Sequence, residues 1–150
     1  MRFALVNPDW DFTGSTYFGC QEPHYPLELL FSFDKIRAAG HEPLLVDAQV
    51  ERLSLQEVKR QVERFEPDFL VIPTAPSYLF WRCPQPELRV PRQWFAALGE
   101  KSVRVAIGPH PSATPSASLS CCSVNIPTWE WPKNNPPRTS PVTPFTGTAR

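Results

Sequence analysis

Ser54-Leu-Gln-Glu-Val-Lys-Arg-Gln-Val-Glu-Arg-Phe-Glu-Pro-Asp-Phe-Leu-Val-Ile72 decides the fold class. Ser54 followed by Glu57 is a capping box, in which each side chain satisfies a backbone N–H that the first helical turn leaves free. Leu53 and Val58 can form the hydrophobic staple around it. Leu55, Val58, Val62 and Phe65 recur on one helical face, and Lys59, Arg60, Glu63 and Arg64 fill the other. Pro67 stops the helix. Phe69-Leu-Val-Ile72 is then an unbroken apolar run of the kind buried on both faces of a parallel sheet. A helix that delivers the chain to a doubly buried strand is part of a β-α-β unit, so the flanking sequence should repeat the alternation.

It does so on both sides. Arg2-Phe-Ala-Leu-Val-Asn7, ended by Pro8, reads as the first strand, and Leu44-Leu-Val-Asp47 as the second. Between them Leu29, Phe33 and Ile36 mark a helix over residues 26–39, with Pro26 in its first turn and Gly40 as a left-handed cap. Pro91 opens a third helix over residues 92–98, Gly99 ends it, and Val103-Arg-Val-Ala-Ile107 is the fourth strand. The order β-α-β-α-β-α-β predicts an α/β, Rossmann-like (flavodoxin-like) open parallel sheet with helices on both faces, incomplete at its C-terminal edge. Ligands of such sheets bind beyond the carboxyl ends of the strands. Here that edge carries three loops, residues 8–25, 73–90 and 108–115.

The 150 residues carry 15 Lys plus Arg against 15 Asp plus Glu, so no global field selects a nucleic acid or an anionic membrane, and neither is expected as a partner. No apolar run approaches the ~20 residues needed to span a bilayer. Only the four-residue apolar run Phe3-Ala-Leu-Val6 precedes Asn7 and Pro8, too short for a secretory signal, and the expected address is cytoplasmic. Cys20, Cys83, Cys121 and Cys122 have neither zinc nor iron–sulfur spacing and read as reduced thiols. From Leu119 onward the composition changes. Six of the 19 prolines fall there, and Glu130, Lys133, Arg138 and Arg150 are the only charges. Residues 119–150 therefore read as a disordered Pro/Ser/Thr-rich tail behind a domain of residues 1–118.

The edge loops concentrate the unusual residues. Asp9, Trp10, Asp11, Gly14, Ser15, Tyr17, Phe18 and His24 lie in the first, and Thr74, Ser77, Tyr78, Phe80, Trp81 and Arg82 in the second. Aromatic rings beside small hydroxyls suit a large, flat, partly apolar ligand; they equally suit a plain hydrophobic cap on the sheet edge. Gly14 and Gly19 lack the spacing of a dinucleotide or triphosphate loop. A phosphoryl receiver needs an Asp where Pro73 and Thr74 stand. Cys20 and His24 share a loop but have no third group to orient them, and there is no Gly-x-Ser-x-Gly elbow.

Taken in order, Ala4-Leu-Val-Asn-Pro8, Pro26-Leu-Glu-Leu29, Ala39-Gly-His-Glu42, Val46-Asp-Ala48, Pro67-Asp-Phe-Leu-Val-Ile72 and Gly108-Pro-His-Pro-Ser-Ala-Thr-Pro115 resemble the N-terminal cobalamin-binding domain of cobalamin-dependent radical SAM proteins. The last stretch is similar to the Gly-Gly-x-His-Pro-Thr that commonly follows the family's fourth strand. The resemblance covers residues 1 to about 118. It implies a corrinoid, cobalamin, lying across the carboxyl edge of the sheet, with Asn7, Asp9, Asp11, Gly14, Ser15, Thr74, Ser77, Tyr78, Gly108, His110 and Thr114 at matching positions. Asp11 stands where methionine-synthase-type domains have the histidine that ligates cobalt from below, so no such ligand is expected. Pro109 replaces the family's second glycine and removes one backbone donor.

The family continues into a further helix, a fifth strand and a barrel whose three-cysteine motif binds the iron–sulfur cluster and SAM. This chain turns into the Pro/Ser/Thr tail instead, and reads as truncated or frameshifted after about residue 118. The expectation is a cobalamin-binding module that is inactive alone, with no cluster or SAM site, and with an open sheet edge available for self-association. The competing readings are a free-standing small α/β hydrolase or transferase using Cys20, His24 or His110, and an inert interaction fragment.

Overall fold

A computed structural model describes residues 1–10, 24–76, 88–108 and 110–111. Its elements run β1 (Arg2–Asn7), α1 (Leu27–Ala38), β2 (Glu42–Asp47), α2 (Leu55–Phe65), β3 (Phe69–Pro73), α3 (Arg89–Leu98) and β4 (Val103–Ile107). The four strands form one sheet in the order β2-β1-β3-β4, and every neighbouring pair is parallel. This is the α/β, Rossmann-like architecture that the alternation of elements predicts.

The period-2 alternation of the strands divides the interior into two layers. Ala4, Val6, Leu70 and Ile72 face a larger core that contains Val58 and Val62 of α2 and Trp94, Phe95 and Leu98 of α3. Leu5 and Val71 face the other way, toward Leu29, with Phe33 and Ile36 of α1 packed against them. Helices therefore cover both faces, α2 and α3 on one and α1 on the other.

Local signals set most of the boundaries. The Ser54–Glu57 capping box forms in full: the Glu57 N–H donates to Ser54 Oγ, and the Ser54 N–H donates to Glu57 Oε2 at 2.8 Å. These hydrogen bonds hold the Glu57 carboxyl below its ordinary range. Gly40, at φ +79°, ends α1 as expected: its N–H reaches the Arg37 carbonyl, and the His41 N–H reaches that of Ile36. This is the Schellman pattern.

Two boundaries differ from the sequence reading. β2 begins at Glu42 rather than Leu44, because Pro43 pairs with Phe3 on an edge strand, where a missing N–H can face outward at no cost. α3 begins at Arg89 rather than Arg92. Pro91 is its third residue, still within the turn whose N–H groups have no helical acceptor, and the ladder starts at Arg92 N–H to Leu88 C=O, 3.0 Å. Burial of Leu88 and Val90 draws this extra turn onto the sheet. The boundary near residue 118 and the tail lie outside the described residues.

Candidate functional site

Because all four strands are parallel, Asn7, Asp47, Pro73 and Ile107 end on one edge of the sheet. The strand order reverses at β1, whose neighbours are β2 on one side and β3 on the other. The crevice of such a sheet opens there, beyond the ends of β1 and β3.

At the β1/β2 side, Asn7 and Asp47 are register partners. Both are buried, and Asn7 Nδ2 donates to Asp47 Oδ1 at 2.8 Å. The same oxygen accepts from the Val50 N–H at 3.1 Å, and Trp10 Nε1 donates to Asn7 Oδ1 at 2.9 Å. Asp47 Oδ1 is thus held by two donors. Trp10 belongs to the larger core, so this aromatic caps the edge from inside. Asp9, one residue earlier, is exposed.

At the β3/β4 side, Thr74 is 1% exposed. Its N–H donates to the Ile107 carbonyl at 2.9 Å, and its Oγ1 donates to the same carbonyl at 3.1 Å. His110 Nδ1 lies 3.2 Å from Thr74 Oγ1. The Thr74 hydroxyl donates to Ile107, so its oxygen can accept from Nδ1 in the tautomer that carries the proton there. Burial pushes the His110 pKa down, opposed in part by a hydrogen bond to the Thr74 backbone, so the ring is neutral near pH 7. Gly108 has φ +111°, and a Cβ there would sit 3.1 Å from Thr74 Oγ1. Both the backbone conformation and the space favour glycine.

A pH dependence follows from His110. Its folded pKa lies below the unfolded value, so the unfolded chain takes up the proton first as pH falls. Stability from this group is full above about pH 6.5 and declines as pH drops from there toward the folded pKa. Urea midpoints at pH 7.5 and 5.5 should fall at the lower pH, and His110→Gln should shrink that difference. An equal difference in the variant would assign the effect to other groups.

The structure thus brings Asn7, Asp9, Thr74, Gly108 and His110 to one edge, at the ends of β1, β3 and β4. Asn7, Thr74 and His110 are buried there. Asp11, Gly14, Ser15, Ser77, Tyr78 and Thr114 lie outside the described residues, as does Cys20 of the alternative Cys20/His24 pair. Trp10, one of the edge-loop aromatics, and Asp47 complete the Asn7 network; Asp47 is not among the site residues read from the sequence. Asp47 ends an apolar strand just as Asn7 does, and that shared position was the available signal.

A cavity of about 720 Å³ lies at the opposite end of the sheet, around the starts of β3 and β4. Among the described residues no three His, Cys, Asp or Glu come together to hold a metal ion. Nor is any described helix long and apolar enough to cross a membrane. No protein family, curated protein or solved structure matches this chain.

Proposed function

We propose that the chain is a corrinoid-binding module, with cobalamin as its ligand and without a cluster or SAM site of its own. The observation that carries the reading is the strand order β2-β1-β3-β4, with its reversal at β1 and with Asn7, Asp9, Thr74, Gly108 and His110 on the one edge where it opens. The residue pattern Gly108-Pro-His-Pro-Ser-Ala-Thr114 supports the same ligand.

The chemistry of the described edge fits a large ligand rimmed with neutral amides. Asp47 Oδ1 accepts from Asn7 and from the Val50 N–H, and the other described side chains of the edge are the neutral Asn7 and Thr74, with His110 and the exposed Asp9. Asp9 and His110 would lie against the amide rim of the corrinoid. Gly108 would keep the β4 end low enough for close approach. When bound, the corrinoid supplies a cobalt centre; the chain's residues bind and orient it.

Titration of the full chain with hydroxocobalamin, followed by absorbance, tests this. Saturable binding is expected, and His110→Ala should weaken it by up to about tenfold, the loss of one hydrogen bond. A chain shown to be folded by circular dichroism that leaves the spectrum unchanged at about 1 mM ligand would overturn the assignment.

A further inference from the structure

The cavity of about 720 Å³ opens between the C-terminal ends of α2 and α3 and the starts of β3 and β4. Pockets that take small molecules commonly measure about 300–1,000 Å³ and combine an apolar lining with a few polar groups that orient the occupant. Val62, Phe69, Leu98 and Val103 supply apolar lining here.

Charge decides which occupant fits. Lys59 and Glu63, both in the lining, pair at 3.8 Å and cancel. Asp68 Oδ2 accepts from the Arg2 backbone N–H at 2.7 Å, a donor that leaves the carboxylate its charge. Glu66 and Glu100 are exposed, and among the described residues neither carboxylate has an ion pair or hydrogen bond. Against these three negative groups stands Lys101, so two negative charges remain in excess. The helix ends have the same sign, since a helix C-terminus carries roughly half a negative charge. Arg64 in the last turn of α2, and Arg104, whose Nε donates to the Gly99 carbonyl at 3.0 Å, offset part of that contribution.

Glu66 is also placed against two local preferences. It caps α2 at φ +50°, a left-handed position that favours glycine, and a helix C-terminus repels a carboxylate.

An organic anion would meet the excess negative charge, and a neutral apolar molecule would leave the carboxylates unanswered. Nor do three His, Cys, Asp or Glu come together among the described residues to hold a bare metal ion. We infer that the cavity binds an organic cation, with an ammonium group at the acidic rim and an apolar body against Val62, Phe69 and Leu98. This site is separate from the corrinoid edge and does not rest on that reading.

Titration of the isotope-labelled full chain with phenethylammonium, followed by amide chemical shifts, should give saturable shifts around Glu66 and Glu100. A Kd of about 1 mM or below is expected. Phenylacetate, of similar shape and opposite charge, should leave those amides unmoved. Glu66→Gln and Glu100→Gln should each weaken binding about three- to fivefold, and Lys101→Gln should strengthen it. Glu66→Gly separates binding from folding: it should weaken binding to the same extent yet raise the urea midpoint, because glycine suits the left-handed position. No saturable shift at about 10 mM, in a chain shown to be folded by circular dichroism, would overturn the inference. So would equal binding of phenylacetate, or an unchanged affinity when Glu66→Gln and Glu100→Gln are combined. Shifts that follow protein dilution rather than the cation would assign the cavity to a second copy of the chain, and would overturn it too.

Discussion

Phe95→Ala is expected to lower the stability of the fold by about 3–5 kcal/mol, the range for truncating a buried aromatic residue. Phe95 has no exposed surface and lies where α3 meets the larger core, beside Trp94, Leu98 and Leu70. Truncation removes the transfer free energy of the ring and leaves a cavity, and a central sheet cannot move far to refill it. Domains of this size are stable by about 5–15 kcal/mol, so the variant should sit close to its unfolding threshold. Urea denaturation followed by far-ultraviolet circular dichroism measures the change. A loss below about 1.5 kcal/mol would mean that α3 does not seal this face.

The second large effect is expected at Asp47, where the cost is polar rather than apolar. Asp47→Ala removes the acceptor of both Asn7 Nδ2 and the Val50 N–H. Hydrogen bonds to a charged group contribute about 1.5–3 kcal/mol, and a buried donor left without an acceptor costs about 1–3 kcal/mol. Removing the carboxylate also relieves its desolvation, so a net loss of about 3 kcal/mol is expected. Asp47→Asn keeps an oxygen for Asn7 and should lose only about 1 kcal/mol. Equal losses in the two variants would show that the charge, not the acceptor, holds the β1/β2 end together. In a corrinoid titration the two variants also separate scaffold from contact. If the pair only positions Asn7 and Trp10, weakened binding should follow the stability loss rather than exceed it.

The elements themselves were legible because their instructions are local. The Ser54–Glu57 box, the Gly40 cap and the Pro67 stop act over four or five residues, and the structure places α2 and the end of α1 where they set them. In the structure the strand alternation puts Ala4 and Val6 on one face and Leu5 on the other. Where a local rule failed, packing overrode it. Pro91 has the shape of a first helical residue, yet buried Leu88 and Val90 add a turn before it. Pro43 falls inside β2, which the sequence reading starts at Leu44, because β2 lies at the edge of the sheet.

The candidate site divides along the same line. From sequence alone came the residue types at the strand ends and the inference that parallel strands gather them on one side. Which ends adjoin was decided only by tertiary structure. Asn7 and Asp47 are forty residues apart, and Thr74 and His110 thirty-six. Nothing within a few residues of either pair specifies the other member. The strand order depends on how apolar faces from the whole chain are best buried, a free energy summed over both layers of the core. The same sum leaves Leu27, Leu30 and Phe31 exposed, because among the described helices α1 is the one that packs on its face of the sheet, and it does so through Leu29, Phe33 and Ile36.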